Sequence, residues 1–150
     1  MLYIAADHRG FDEKEKLKHF LDLSNIEFID IGAKEYDPDD DYPDYAFMLG
    51  ELVVKENAKG IILCGSGIGV CVACNKVKGV RAGYAESIEH AVKAREDDDT
   101  NILVLDDMTF EEDEDFPIIT AWLNTDFSGE ERHIRRLKKI SDYEDNWKNL

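Results

Sequence analysis

The chain has 150 residues and carries 34 Asp and Glu against 18 Lys and Arg, a formal net charge of −16. Its length suits a single domain with a real core over residues 1–150, and an apolar share of 43% argues against disorder. An acidic excess of this size excludes a broad basic face for nucleic acid or an acidic membrane, while leaving room for a small anion bound locally.

The opening Met1-Leu2-Tyr3-Ile4-Ala5-Ala6-Asp7 meets an acid too early for a signal peptide, and no apolar run approaches a membrane span. A cytoplasmic location is expected. The three cysteines, all between Cys64 and Cys74, fit a reducing compartment rather than a disulfide framework. Leu2 to Ala6 reads as a short apolar strand that ends in the polar cluster Asp7-His8-Arg9-Gly10. Asp12 with Glu15 has the spacing of a capping box, and Leu17, Phe20 and Leu21 give the following helix an apolar face. A second strand is expected over Glu27 to Ile31, closed by Gly32. The acidic loop from Glu35 to Asp41 reads as solvated, because it lacks the internal glycine and terminal glutamate of an EF-hand loop. Tyr42-Pro43 predicts an extended turn before a helix from about Asp44 to Glu56.

The stretch from Gly60 to Lys76 is the most informative. An uninterrupted apolar run, Gly60-Ile61-Ile62-Leu63-Cys64, leads into Gly65-Ser66-Gly67-Ile68-Gly69 and then a small, apolar helix. Strand, tight loop and helix in this order point backbone N–H groups at one spot, where an anion is favoured. Cys64 sits beside those glycines, where the same N–H groups would stabilise a thiolate. Read alone, it is either a nucleophile or base, or a buried structural thiol. Ser66 either donates to a bound oxyanion or bonds its own backbone. Cys71 and Cys74 form C-x-x-C, but no second ligand pair with metal spacing follows, so they read as small helix side chains. The glycine pattern is not G-x-G-x-x-G and follows the third strand, which argues against a dinucleotide cofactor.

Val80 to Tyr84 is the fourth expected strand, and Ser87 can cap a helix running towards Glu96. Asp97-Asp98-Asp99 then places carboxylates where they oppose the helix dipole. Asn101 to Leu105 is the fifth strand. Thr109 with Glu112, and Ser128 with Glu131, have capping-box spacing before helices whose apolar positions include Ile118, Ile119, Trp122, Ile134 and Leu137. Five strands with intervening helices predict a parallel sheet with right-handed crossovers in a three-layer α/β/α domain. The carboxyl ends of strands one and three would then gather Asp7, His8, Cys64 and the glycine loop around one crevice. Arg132 and Arg136 lie one turn apart on the last helix, with His133 between them in sequence. Such a pair is either a phosphate fork or a solvated salt-bridging face.

Asp7-His8-Arg9-Gly10-Phe11, Asp41-Tyr42-Pro43, Ile62 to Gly69, Asn75-Lys76, Gly79-Val80-Arg81-Ala82 and Arg132-His133-x-x-Arg136 together resemble the type-B ribose-5-phosphate isomerase family, which also includes galactose-6-phosphate isomerase. The resemblance runs from Tyr3 to about Ile140. It implies a Rossmann-like subunit with an extended C-terminal helix, acting on a small phosphorylated sugar without metal or cofactor. The implied reaction is aldose-ketose isomerisation through a cis-enediolate, with ribose 5-phosphate and ribulose 5-phosphate the default pair. Sites would lie at the interface of a homodimer or dimer of dimers. Matched position by position, Cys64 is the base and Gly65 to Gly69, including Ser66 and Ile68, hold the oxyanion. Asp7, His8 and Tyr42 contact the sugar, and Arg132, His133 and Arg136 hold the phosphate.

Two positions depart from the family pattern. Asp97-Asp98 stands where His-Asn is typical, so the ring-opening histidine is absent, and Met108 stands for a phosphate-binding arginine. His90 lies about 10 Å along the helix axis from Asp97, too far to replace it. Three adjacent acids could raise one pKa enough for Asp97 to act as the acid, beside Asp98 in the sugar site. Otherwise the chain would use an open-chain four-carbon phosphosugar, or serve as a partner subunit of a hetero-oligomeric isomerase.

Overall fold

The computed structural model describes residues 1–146; residues 147–150 of the expected domain lie outside the described residues. Eleven elements alternate along it: β1 (Leu2–Ala6), α1 (Phe11–Leu23), β2 (Phe28–Asp30), α2 (Tyr42–Lys55), β3 (Lys59–Cys64), α3 (Ile68–Cys74), β4 (Ala82–Tyr84), α4 (Ile88–Glu96), β5 (Ile102–Asp106), α5 (Glu112–Asn124) and α6 (Glu131–Asn146). The five strands form one sheet in the order β2-β1-β3-β5-β4, with every pairing parallel.

β1, β3 and β5 are apolar without alternation because helices cover both faces of the sheet. Ile4, Ile61, Leu63, Leu103 and Leu105 face Leu17 and Leu21 of α1, Ala91 of α4 and Ile118, Ile119 and Trp122 of α5. On the other face Tyr3, Ile62, Ile102 and Val104 pack with Ala46, Leu49 and Val53 of α2 and Val70 and Ala73 of α3. This is the expected three-layer arrangement. The chain leaves β1 towards β2 on one side and reaches β3 on the other, so the sheet's topological switch point lies between β1 and β3.

Several helix starts differ from the expected ones. α1 begins at Phe11 without a side-chain cap; the turn before it is tied instead by Asp7, whose Oδ1 accepts from the N–H groups of Arg9 (3.1 Å) and Gly10 (3.2 Å). α2 takes Tyr42 and Pro43 into its first turn, where a proline's missing N–H costs nothing. The Glu111 N–H at the start of α5 donates to Asp115 (2.8 Å), while Thr109 donates back to Asp106. Ser128 donates to the Glu96 carbonyl (2.6 Å) rather than capping α6. Only Ser87 caps as expected, accepting from the His90 N–H at 3.1 Å.

In the acidic run after α4, Asp99 is paired with arginine. Asp99, in a left-handed conformation (φ 45), accepts from Arg81 and Arg95, each at 2.9 Å. α6 lies along the β4 side: Glu144 accepts from the Gly79 N–H (3.2 Å) and Asp145 pairs with Lys78 (2.5 Å). Among its described residues only His133 is buried, and Ile134 and Ile140 remain about half exposed. Among the described residues no helix is long and apolar enough to cross a membrane.

Candidate active site

Because β1 and β3 are neighbours in register, with Ala6 opposite Leu63, the residues that end them meet at the switch point. Asp7 is 2% exposed and Cys64 8% exposed. The Cys64 thiol donates to Asp7 Oδ2 at 3.0 Å, while Asp7 Oδ1 holds the turn into α1. Burial and the Asp7 carboxylate push the Cys64 pKa up from 9.0 to about 12, against the opposing pull of the Gly65 N–H. Desolvation and the adjacent carboxylate thus act against the thiolate that the loop's N–H groups would favour.

The glycine loop needs its glycines. Gly67 adopts φ 68, open to glycine without strain. A Cβ on Gly69 would lie 2.9 Å from the Tyr42 ring, so this expected sugar contact packs directly on the loop. Ser66 accepts the Ile68 N–H at 3.4 Å and thus bonds its own backbone; it remains exposed and adjacent to the crevice.

His8 contacts a residue that sequence reasoning missed. Its Nδ1 lies 2.6 Å from Asp40 Oδ1, and the Asp40 hydrogen bond holds the imidazole pKa above its usual value. The acidic loop is thus not wholly solvated: Asp40 folds back with its side chain 7% exposed, and its Oδ2 is buried without a hydrogen-bond partner. Nothing in the run Asp37 to Asp41 singles Asp40 out. Asp7, His8 and Asp40 offer donor atoms within 4.8 Å of one another, but each is already engaged within the protein. The far wall is also acidic. Arg9 spans the loop to Asp107 (3.1 and 3.3 Å), and Tyr84 donates to the buried Asp106, which sits opposite Cys64 in the sheet.

The remaining candidates form a second cluster. Asp97 and Asp98 precede β5, at the sheet edge opposite Cys64, which pairs with Asp106 at the end of that strand. Five strand residues put roughly 13 Å between those edges. Near Asp97 lies His133, with Nε2 3.5 Å from Asp97 Oδ1, while Arg132 and Arg136 project from the exposed side of α6. Arg132 donates to Glu130 at 2.7 Å. Met108 is 72% exposed at the Cys64 edge.

The class of protein is a doubly wound parallel α/β domain with a cysteine and a carboxylate at its switch point, a glycine loop beside them and a separate pair of arginines on α6. The family model described as Ribose/Galactose Isomerase matches residues 2–140. A Mycoplasma pneumoniae protein named "Probable ribose-5-phosphate isomerase B" is 40% identical over 144 residues, 95% of this chain and 94% of that one. A crystal structure of ribose-5-phosphate isomerase B from Mycoplasma genitalium with bound ribulose-5-phosphate superposes with a TM-score of 0.90, at 38% identity, covering 96% and 95% of the two chains. The Clostridium thermocellum ribose-5-phosphate isomerase B gives a TM-score of 0.92 at 34% identity, covering 97% and 98%. The chain belongs to the ribose/galactose isomerase family.

Proposed function

We propose that this chain is an aldose-ketose isomerase that interconverts ribose 5-phosphate and ribulose 5-phosphate. The observation that carries the reading is the Cys64 thiol hydrogen-bonded to Asp7 beside the glycine loop. Isomerisation moves one proton between C1 and C2 and leaves transient negative charge on the two oxygens. For Cys64 to accept the carbon-bound proton, its own proton passes first to Asp7 Oδ2. The thiolate so formed takes the proton from C2 and returns it to C1 while the hydroxyl proton on O2 passes to O1, and the thiol proton comes back from Asp7. N–H groups of the loop from Gly65 to Gly69 meet the developing oxyanion, in the manner of an oxyanion hole. His8, held by Asp40, and Tyr42 flank the sugar.

The phosphate needs a cationic clamp, and at the Cys64 edge the single arginine of the turn, Arg9, is held across the glycine loop by Asp107. Arg132 and Arg136 offer guanidinium forks suited to phosphate oxygens. They and Cys64 lie at opposite edges of one sheet, so one substrate reaches both only if a second copy supplies the fork. Exposed Ile134 and Ile140 on α6, and exposed Ile68 and Val72 on α3 beside the glycine loop, are apolar surface for such a partner to cover. The working unit is thus a homodimer, or a dimer of dimers, with two equivalent sites.

Replacing Cys64 with Ala tests the assignment: isomerisation of ribose 5-phosphate should fall by on the order of a hundredfold or more with the fold intact. Full retained activity would remove Cys64 from the mechanism.

A further inference from the structure

A pentose 5-phosphate exists chiefly as a furanose, in which C1 is bonded to the ring oxygen O4. Before a proton can move between C1 and C2 that ring must open, which requires an acid at O4 and a base at the hydroxyl on C1. Around Cys64, Asp7 is committed to the thiol, His8 to Asp40 and Arg9 to Asp107, and among the described residues the one unpartnered buried atom there, Asp40 Oδ2, is a carboxylate oxygen with no proton to give. The second cluster holds a group with no such commitment. His133 is 2% exposed, and its Nε2 is buried with no hydrogen-bond partner. That nitrogen faces Asp97 Oδ1 at 3.5 Å and Glu130 Oε2 at 4.0 Å. Glu130 Oε2 is taken by Arg132, whereas the Asp97 side chain is 36% exposed. A buried ring nitrogen without a partner is costly to leave as it stands. Here it sits directly behind a solvent-facing carboxylate beside the arginine fork.

We propose that Asp97 and His133 form a proton relay that opens the sugar ring, with Asp97 touching the substrate and His133 acting through it as a positioning residue. This rests on the isomerase reading above and on its two-copy site. The proton on His133 Nε2 passes through Asp97 to O4 as the C1–O4 bond breaks, its electron pair going to O4. The hydroxyl on C1 gives up its proton to the Asp97 carboxylate as C1=O forms, and that proton returns to His133. One proton enters the sugar and one leaves, no electrons are transferred, and the pair ends as it began.

Ring opening can be read apart from isomerisation, because an enzyme that opens and recloses ribose 5-phosphate speeds exchange between its α and β furanose forms, measurable by magnetisation-transfer NMR. With the proton step blocked by Cys64→Ala, that exchange should still be accelerated. Adding His133→Gln or Asp97→Asn should lower it by about tenfold or more, while the Kd for ribose 5-phosphate stays within about threefold. If His133→Gln does not fold, Asp97→Asn carries the test. Acceleration that survives both substitutions overturns the relay, as does a loss that tracks a weakened Kd, which would make His133 a phosphate ligand. A wild-type protein that isomerises ribose 5-phosphate without speeding anomer exchange also overturns the relay and leaves the isomerase reading intact. Exchange without isomerisation does the reverse.

Discussion

Asp7 governs what Cys64 can do. One carboxylate both ties the turn after β1 and accepts the thiol's hydrogen bond, so beside burial it raises the thiol pKa, and it is placed to take that proton. A thiol whose pKa is raised to about 12 alkylates slowly at pH 8, and its rate keeps climbing with pH until about 12. Asp7→Asn removes the neighbouring charge, so the Cys64 pKa should fall and its alkylation at pH 8 should rise several-fold, while isomerisation declines. Peptide mass spectrometry after iodoacetamide treatment would resolve Cys64 from Cys71 and Cys74. Unchanged or slower labelling would mean that burial alone sets the thiol. The sequence marks Cys64 and Asp7 as neighbours at the crevice. It does not reveal that Asp7 lies within hydrogen-bond distance of the sulfur, where it joins burial in opposing a thiolate. Asp40 was illegible for a related reason: its role depends on which carboxylate of an acidic loop folds inward, and composition does not distinguish them.

The strands were legible because an apolar run such as Ile61 to Cys64 or Ile102 to Leu105 has few alternatives to a buried parallel strand. The helix starts were not. With 34 acidic residues in the chain, the capping-box spacing recurs at Asp12, Thr109 and Ser128 by composition alone. The actual starts are set by contacts across the fold, including Asp7 holding the Gly10 N–H and Ser128 bonding to the end of α4. Ser87 was readable because its cap is purely local. The contact between α2 and α3, where the Tyr42 ring lies over Gly69, gives the sharpest test of how the loop is shaped. Gly69→Ala should push that ring aside, costing on the order of 1 kcal/mol in denaturant unfolding and reducing isomerisation. In a Tyr42→Ala background the same substitution should cost close to nothing, because the obstructing ring is gone. Equal costs in both backgrounds would place the strain in the backbone instead.

In an acidic protein of net charge −16, the first turns of α6 gather Arg132, Arg135 and Arg136, a local positive patch that suits the proposed phosphorylated substrate against the overall repulsion. The parallel sheet separates this fork from Cys64, and the proposed two-copy site answers that separation by taking the fork from a second chain. Topology supports that reading: Asp97 leads into β5 while Asp7 follows β1 and Cys64 ends β3, so the two groups belong to opposite edges. Subunit complementation tests it directly. Cys64→Ala and Arg136→Ala proteins, each nearly inactive, are mixed in equal amounts and allowed to exchange subunits, with mixed dimers verified by native mass spectrometry. Half of the dimers are then mixed and each has one intact site, so the mixture should recover about a quarter of the wild-type isomerase rate. Verified mixed dimers with no recovered activity would contradict the two-copy site.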